Sequence, residues 1–181
     1  MRTEDIDQVR TLPLLSTMAE HNLSTLLQGA FLQRFPVHVE LIREGEPADF
    51  LHVIVDGQVE LYARYRGRET TITVLNSPSC FILAAVMLDR PYLKSARVLS
   101  PSRILLIPVE SVRSMFAIDN TFAGAISQEL SFAFRGLVKE LKNQKLRSTI
   151  ERLAAWLVRF NSEHGLNNEI ILPFDKKVLA S

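Results

Sequence analysis

"REGEPADFLHVIVDGQVELY", residues 43–62, decides the fold. It opens on a glycine turn, Glu44-Gly45-Glu46. An apolar run follows, Phe50 to Val55. Asp56-Gly57 then precedes a second apolar run, Val59 to Tyr62. Asp-Gly is a hairpin signal, because glycine takes a positive φ without strain, so the chain is expected to reverse at 56–57. The same texture continues outward. From Phe31 to about Val109, apolar and polar residues alternate and turn signals return roughly every eight to twelve residues. Arg66-Gly67 offers a further hairpin turn. Short strands at that spacing predict a β-sandwich or β-barrel such as a jelly roll.

Helices are expected on both sides. Before the strands, Leu23, Leu26, Leu27 and Ala30 recur at helical spacing, and Thr17 to Glu20 fits a capping box. After Pro108, "VESVRSMFAI" reads as a short helix. "DNTFAGAISQELSFAFRGLVKELKNQK" reads as a long one, capped by Asp119 or Asn120. Ile126, Leu130, Phe134, Leu137 and Leu141 form one apolar stripe on it. Phe122, Ala123, Ala133 and Val138 widen that stripe. A helix so apolar needs more than one surface to cover it: the β-domain, and the same helix of a second subunit. "STIERLAAWLVRFNSEHG" is a further helix, with a Ser148/Glu151 capping box. "EIILP" then reads as a strand and "FDKKVLAS" as the first turns of a helix. The expected organisation is a sensor domain over 1–118, a dimerisation helix over 119–147, and the start of another domain over 148–181.

Composition bounds the function. The chain has 181 residues and a formal net charge of +1, so a nucleic-acid partner would need a local site. The single cysteine, Cys80, rules out an internal disulfide and any site of four thiolates. No apolar run is long enough for a membrane span or a signal peptide, so a cytoplasmic protein with no membrane partner is expected. The four histidines are far apart and none has metal-ligand spacing, so no metal site is expected. No P-loop, GxGxxG or GxSxG occurs, and no acid–base or nucleophile pair is visible. An enzyme is therefore not expected.

The order of these pieces resembles the Crp/Fnr family of bacterial transcription regulators, over essentially the whole chain. The matching stretches are residues 43–62, "CFILAAVMLDRPYLKSARVLS", the long helix, and "RSTIERLAAWLVRF" before "ILPFDKKVLAS". The resemblance implies a mixed α and β fold. That fold is a cyclic-nucleotide-binding-type β-roll (jelly roll) with short N-terminal helices, then a long dimerisation helix and the beginning of a winged helix-turn-helix domain. It also implies a homodimer that regulates transcription, with RNA polymerase as a partner. A palindromic DNA operator would be read by a helix beyond residue 181.

"CFILAAVMLDRPYLKSARVLS" falls on the family's phosphate-binding cassette. That cassette reads approximately F-x-G-E-L and, further on, R-S/T-A. Phe81 matches the phenylalanine, but Leu83 stands at the glycine and Ala84 at the glutamate. Lys94 stands at the arginine, with Ser95 and Ala96 matching. A ribose hydroxyl left without its partner costs about 1–3 kcal/mol, and lysine cannot form the bidentate fork of arginine. Cyclic nucleotide is therefore disfavoured as the effector. The cysteine count disfavours the branch that carries an iron–sulfur cluster. What remains resembles the denitrification and nitric-oxide-responsive branch, which implies an apolar pocket and haem as a cofactor. His52 is the candidate iron ligand and Cys80 a weaker one. Three alternatives stay open: a cyclic-nucleotide-binding regulator, a stand-alone ligand-binding module with no DNA role, and a pocket that is simply core.

Overall fold

The structure is a computed structural model that describes residues 3–164. In chain order the elements are α1 (Thr3–Arg10), α2 (Glu20–Leu27), β1 (Phe31–Phe35), β2 (Glu40–Ile42), β3 (Phe50–Tyr65) and β4 (Arg68–Asn76). Then come β5 (Ser79–Phe81), α3 (Leu83–Leu88), β6 (Ser95–Pro108), α4 (Val109–Ile118), α5 (Asn120–Leu146) and α6 (Thr149–His164). The expected strand "EIILP" and helix "FDKKVLAS" lie outside the described residues. The chain divides into two compact units within α5, between Leu130 and Ser131.

The first unit is built on one antiparallel sheet. Its strand order is β1-β6-β3-β4, with β2 on β6 and β5 on β3. Two of its strands are long: β3 has 16 residues and β6 has 14. They pair from Phe50↔Pro108 to Tyr62↔Ser95, with register shifts between Ile54 and Val59. The expected turn at Asp56-Gly57 is therefore corrected, since β3 runs straight through it. Gly57 has φ +95°, and a Cβ there would sit 2.2 Å from Ser102 Oγ and 2.8 Å from the Pro101 carbonyl oxygen. Glycine is required because β6 comes so close, not because the chain reverses. The reversal occurs at Arg66-Gly67, with φ 50° and 77°, and joins β3 to β4.

That irregularity decides which side chains face which core. Before it, Leu51, Val53 and Val55 pack with Leu105 and Ile107 of β6 into a helix-facing core. Leu23, Leu26, Val112, Met115, Phe122 and Ile126 complete this core from the helices. After it, Val59 and Leu61 instead join Ile54, Phe81, Ala96, Val98 and Ile104 inside the roll. A slip of one residue exchanges the two faces of a strand. Odd-numbered residues of β3 thus serve one core before Gly57 and the other after it.

Asp119, not Asn120, caps α5. Its Oδ1 accepts from Thr121 N at 2.8 Å and Phe122 N at 3.0 Å, and its Oδ2 accepts from Asn22 Nδ2 at 2.8 Å. The Thr121 hydroxyl, these backbone donors and Asn22 hold the carboxyl down at about 2. Asp119→Ala should cost about 1–2 kcal/mol at neutral pH. A depressed carboxyl stabilises the fold above its unfolded value, near 4, and that stability fades as pH falls towards 2. Urea titrations of both proteins should therefore show their difference shrinking between pH 4 and pH 2. A constant difference would remove Asp119 ionisation from the cap.

Of the other capping signals, Ser148/Glu151 forms as expected. Ser148 N donates to Glu151 Oε2 at 2.8 Å, and Glu151 N donates to Ser148 Oγ at 3.4 Å. The expected box at Thr17 to Glu20 does not form. There α2 starts after Ala19 with no side-chain cap, and the Glu20 carboxylate pairs with Arg10 at 2.6 Å.

Within the second unit the rest of α5 carries exposed apolar side chains. Phe134 is 66% exposed, Leu137 64% and Leu141 50%. The expected five-residue dimer face needs correction at its start. Ile126 is fully buried in the helix-facing core of its own unit, and Leu130 packs half-buried against that core. The stripe covers the β-domain first and stands exposed only from Phe134 onward.

Candidate functional site

The cassette stretch folds into β5, α3 and the start of β6. Both ends of the six-residue α3 are left-handed, at Ile82 (φ 62°) and Asp89 (φ 54°). The positive φ falls one residue before Leu83, on a β-branched residue that disfavours it. Leu83 is buried in the helix-facing core, and Ala84 is exposed. Neither offers a polar side-chain atom to a ligand. Ser95 is buried, and its Oγ accepts from Glu44 N at 3.0 Å. It is thereby tied to the glycine turn that opens the deciding stretch. A second tie joins Gly45 N to the Tyr92 carbonyl at 2.8 Å. Lys94 is half-buried and makes no hydrogen bond or ion pair among the described residues. Burial alone holds its ammonium below the usual lysine value.

Three groups around this stretch escape a linear reading. Arg113 of α4 donates from Nε to the Val86 carbonyl at 2.7 Å and reaches Asp89 Oδ1 at 2.8 Å. It thus clasps the C-terminal end of α3, where carbonyls lack helical partners. Its only sequence signal is a lone basic residue in a short amphipathic helix. Cys80 lies 3.9 Å from Glu129 Oε2 of α5. Burial, and then the Glu129 charge, push its thiol up to about 12, which keeps it protonated and unreactive at neutral pH. Glu60, only 1% exposed, is held by Arg97 Nε at 2.5 Å and by the Thr71 hydroxyl. Arg97 also lies over the Tyr62 ring, 4.5 Å from its centroid.

His52 of β3 pairs with Phe81 of β5, and the two rings lie 5.1 Å apart. His52 is 5% exposed and lines a cleft of about 540 Å³ with Phe35, Phe50 and Tyr92. None of Leu83, Ala84, Lys94 and Ser95 lines that cleft. His52 Nδ1 lies 3.1 Å from the Phe50 carbonyl oxygen. A carbonyl can only accept, so Nδ1 carries the proton and Nε2 the lone pair. Burial lowers the imidazole to about 4 and keeps it neutral. These features suit an axial ligand, but the surroundings do not suit haem. Glu40, Glu46 and Asp49 line the cleft, and no lysine or arginine does. The two propionates of haem would face carboxylates there, and its apolar ring a charged rim. No group of three or more potential metal ligands occurs among the described residues.

Residues 32–119 match the family model of the cyclic nucleotide-binding domain. No curated protein matches the chain in sequence. The fold is similar to the sensor domain of the transcriptional regulator DNR from Pseudomonas aeruginosa. That similarity has 22% identity and a TM-score of 0.62, over 71% of this chain and 91% of that one. The fold is also similar to DNR from the same organism, with 21% identity and a TM-score of 0.62 over 99% of this chain and 80% of that one. A third likeness is to the regulatory domain of Toxoplasma gondii PKA in co-crystal with cAMP. It has 17% identity and a TM-score of 0.58, over 64% of this chain and 46% of that one. At these identities the likeness is one of fold.

Proposed function

We propose that this chain is the sensor and coupling part of a homodimeric, DNA-binding transcription regulator of Crp/Fnr type, whose effector is not a cyclic nucleotide. The observation that carries the reading is the chemistry of its cassette. A cyclic nucleotide needs an acceptor for its ribose hydroxyl and a forked cation for its phosphate. Leu83 is turned into the core, Ala84 has no acceptor, and Lys94 is a single desolvated ammonium. That ammonium favours an effector with an anionic group, since a half-buried cation without a partner gains most from one. Haem does not fit the residues around His52, so no step of the mechanism passes through it.

The coupling follows from contacts within the first unit. The Arg113 clasp joins α3 to α4. α4 ends at Ile118 and is followed by the Asp119 cap of α5. An effector that binds better when α3 is shifted would bias α4 and the start of α5 with it. Differential affinity for the two arrangements is what makes it a signal.

Calorimetric titration with cyclic AMP and cyclic GMP tests the proposal. No saturable binding is expected at micromolar nucleotide. Micromolar binding of either, abolished by Lys94→Met, would show that the cassette still works and would overturn the reading.

A further inference from the structure

We propose that the cleft at His52 is a separate binding site for a small organic cation with an aromatic or apolar body. Four of the residues that line the cleft are aromatic: Phe35, Phe50, His52 and Tyr92. Ring faces attract cations. Besides the exposed Gln33 amide and the Tyr92 hydroxyl, its hydrogen-bonding side chains are acceptors. The Phe50 carbonyl takes the proton of His52 Nδ1, and Nε2 makes no hydrogen bond with the described residues. The ring is 5% exposed, yet Nε2 is not among the buried unpartnered atoms, so its unused lone pair is open to a donor entering the cleft. The Asp49 carboxylate also lines the cleft and makes no hydrogen bond or ion pair among the described residues.

The remaining carboxylates are partly spent. Glu40 accepts from the Tyr62 hydroxyl at 2.7 Å and pairs with Arg43 at 2.7 Å. Glu46 is 3.8 Å from the same Arg43. Asp49 is thus the uncompensated charge of the rim, and no lysine or arginine lines the cleft to neutralise it. An anion would face the net negative charge of Glu40, Glu46 and Asp49, against which only Arg43 is paired. A neutral apolar guest would leave His52 Nε2 without a donor and gain nothing from the Asp49 charge. A primary amine on a ring brings donors and a positive charge to these acceptors and an apolar body to the aromatic walls. The neutrality of His52, whose imidazole burial lowers to about 4, keeps its acceptor available across the physiological range.

The test uses phenethylamine and phenylpropionate as probes, which share a ring and differ in charge. Each is titrated at neutral pH while the imidazole resonances are followed by NMR. Phenethylamine should shift the His52 resonance saturably at millimolar concentration, and phenylpropionate should not. Asp49→Asn, an exposed and isosteric change, should weaken the amine by about tenfold, the worth of one charge-assisted hydrogen bond. Lys94→Met should leave amine binding unchanged, which separates this site from the cassette. No saturable shift with the amine, an equal response to the acid, or an unchanged affinity in Asp49→Asn would each overturn the proposal.

Discussion

Gly57→Ala should lower the unfolding free energy by at least about 3 kcal/mol, among the larger effects of a single substitution. Two costs combine. A φ of +95° strains any residue with a Cβ. The added methyl must also displace backbone, since it would lie 2.8 Å from the Pro101 carbonyl oxygen and from Ser102 Cα. Gly67→Ala separates these costs. Gly67 has φ +77°, but a Cβ there meets nothing within 4 Å. Its loss should be only the conformational part, about 1–2 kcal/mol. Urea denaturation of both variants gives the comparison. Equal losses would mean that the approach of β6 is not what requires glycine at 57.

Leu137→Asp should turn a dimer into monomers. Leu137 is 64% exposed in the protomer, so the change leaves the protomer's own core intact. In a two-fold interface the lost side chain counts twice. Two leucines at about 2 kcal/mol each amount to roughly a thousandfold weaker association, and two buried carboxylates weaken it further. Sedimentation velocity should show the variant at half the parent's mass with unchanged circular dichroism. If it stays dimeric, the exposed face of α5 is not the interface. Ile126 is unsuitable for this test because its removal would damage the helix-facing core.

Much of the fold was legible, because short-range patterns carry it. Alternation over Phe31 to Val109 marked the β-roll, and the stripes after Pro108 marked α4, α5 and α6. What was not legible depends on partners distant in sequence. Asp56-Gly57 carries a turn signal, yet Ser102, whose hydroxyl bonds Gln58 N across 44 residues, decides its role. The stripe of α5 identifies an apolar face but not what covers each turn of it. Ile126 and Leu137 share a periodicity and meet different surroundings. In the candidate site, Leu83 and Ala84 could be read as losses, because a missing glutamate is visible in a sequence. Arg113 could not, since its partners are a backbone carbonyl and Asp89 on another element. The environment of His52 was hidden for the same reason: Gln33, Tyr92 and Leu106 come from distant parts of the chain to line the same cleft.

The place of β6 in the sheet sets the order in which the roll can be assembled. It pairs with β1, β2 and β3, and Phe31 meets Leu106, far along the chain of the first unit. The β3–β4 hairpin can close locally around Arg66-Gly67 while the chain is still being made. β1 and β2 have no strand to join until residues 95–108 exist. A sheet closed by its last strand has high contact order, and such sheets fold slowly. During synthesis, Phe31 to Ile42 must therefore wait until residues 95–108 follow with their ladder partners, the interval in which misassociation with other chains competes with folding.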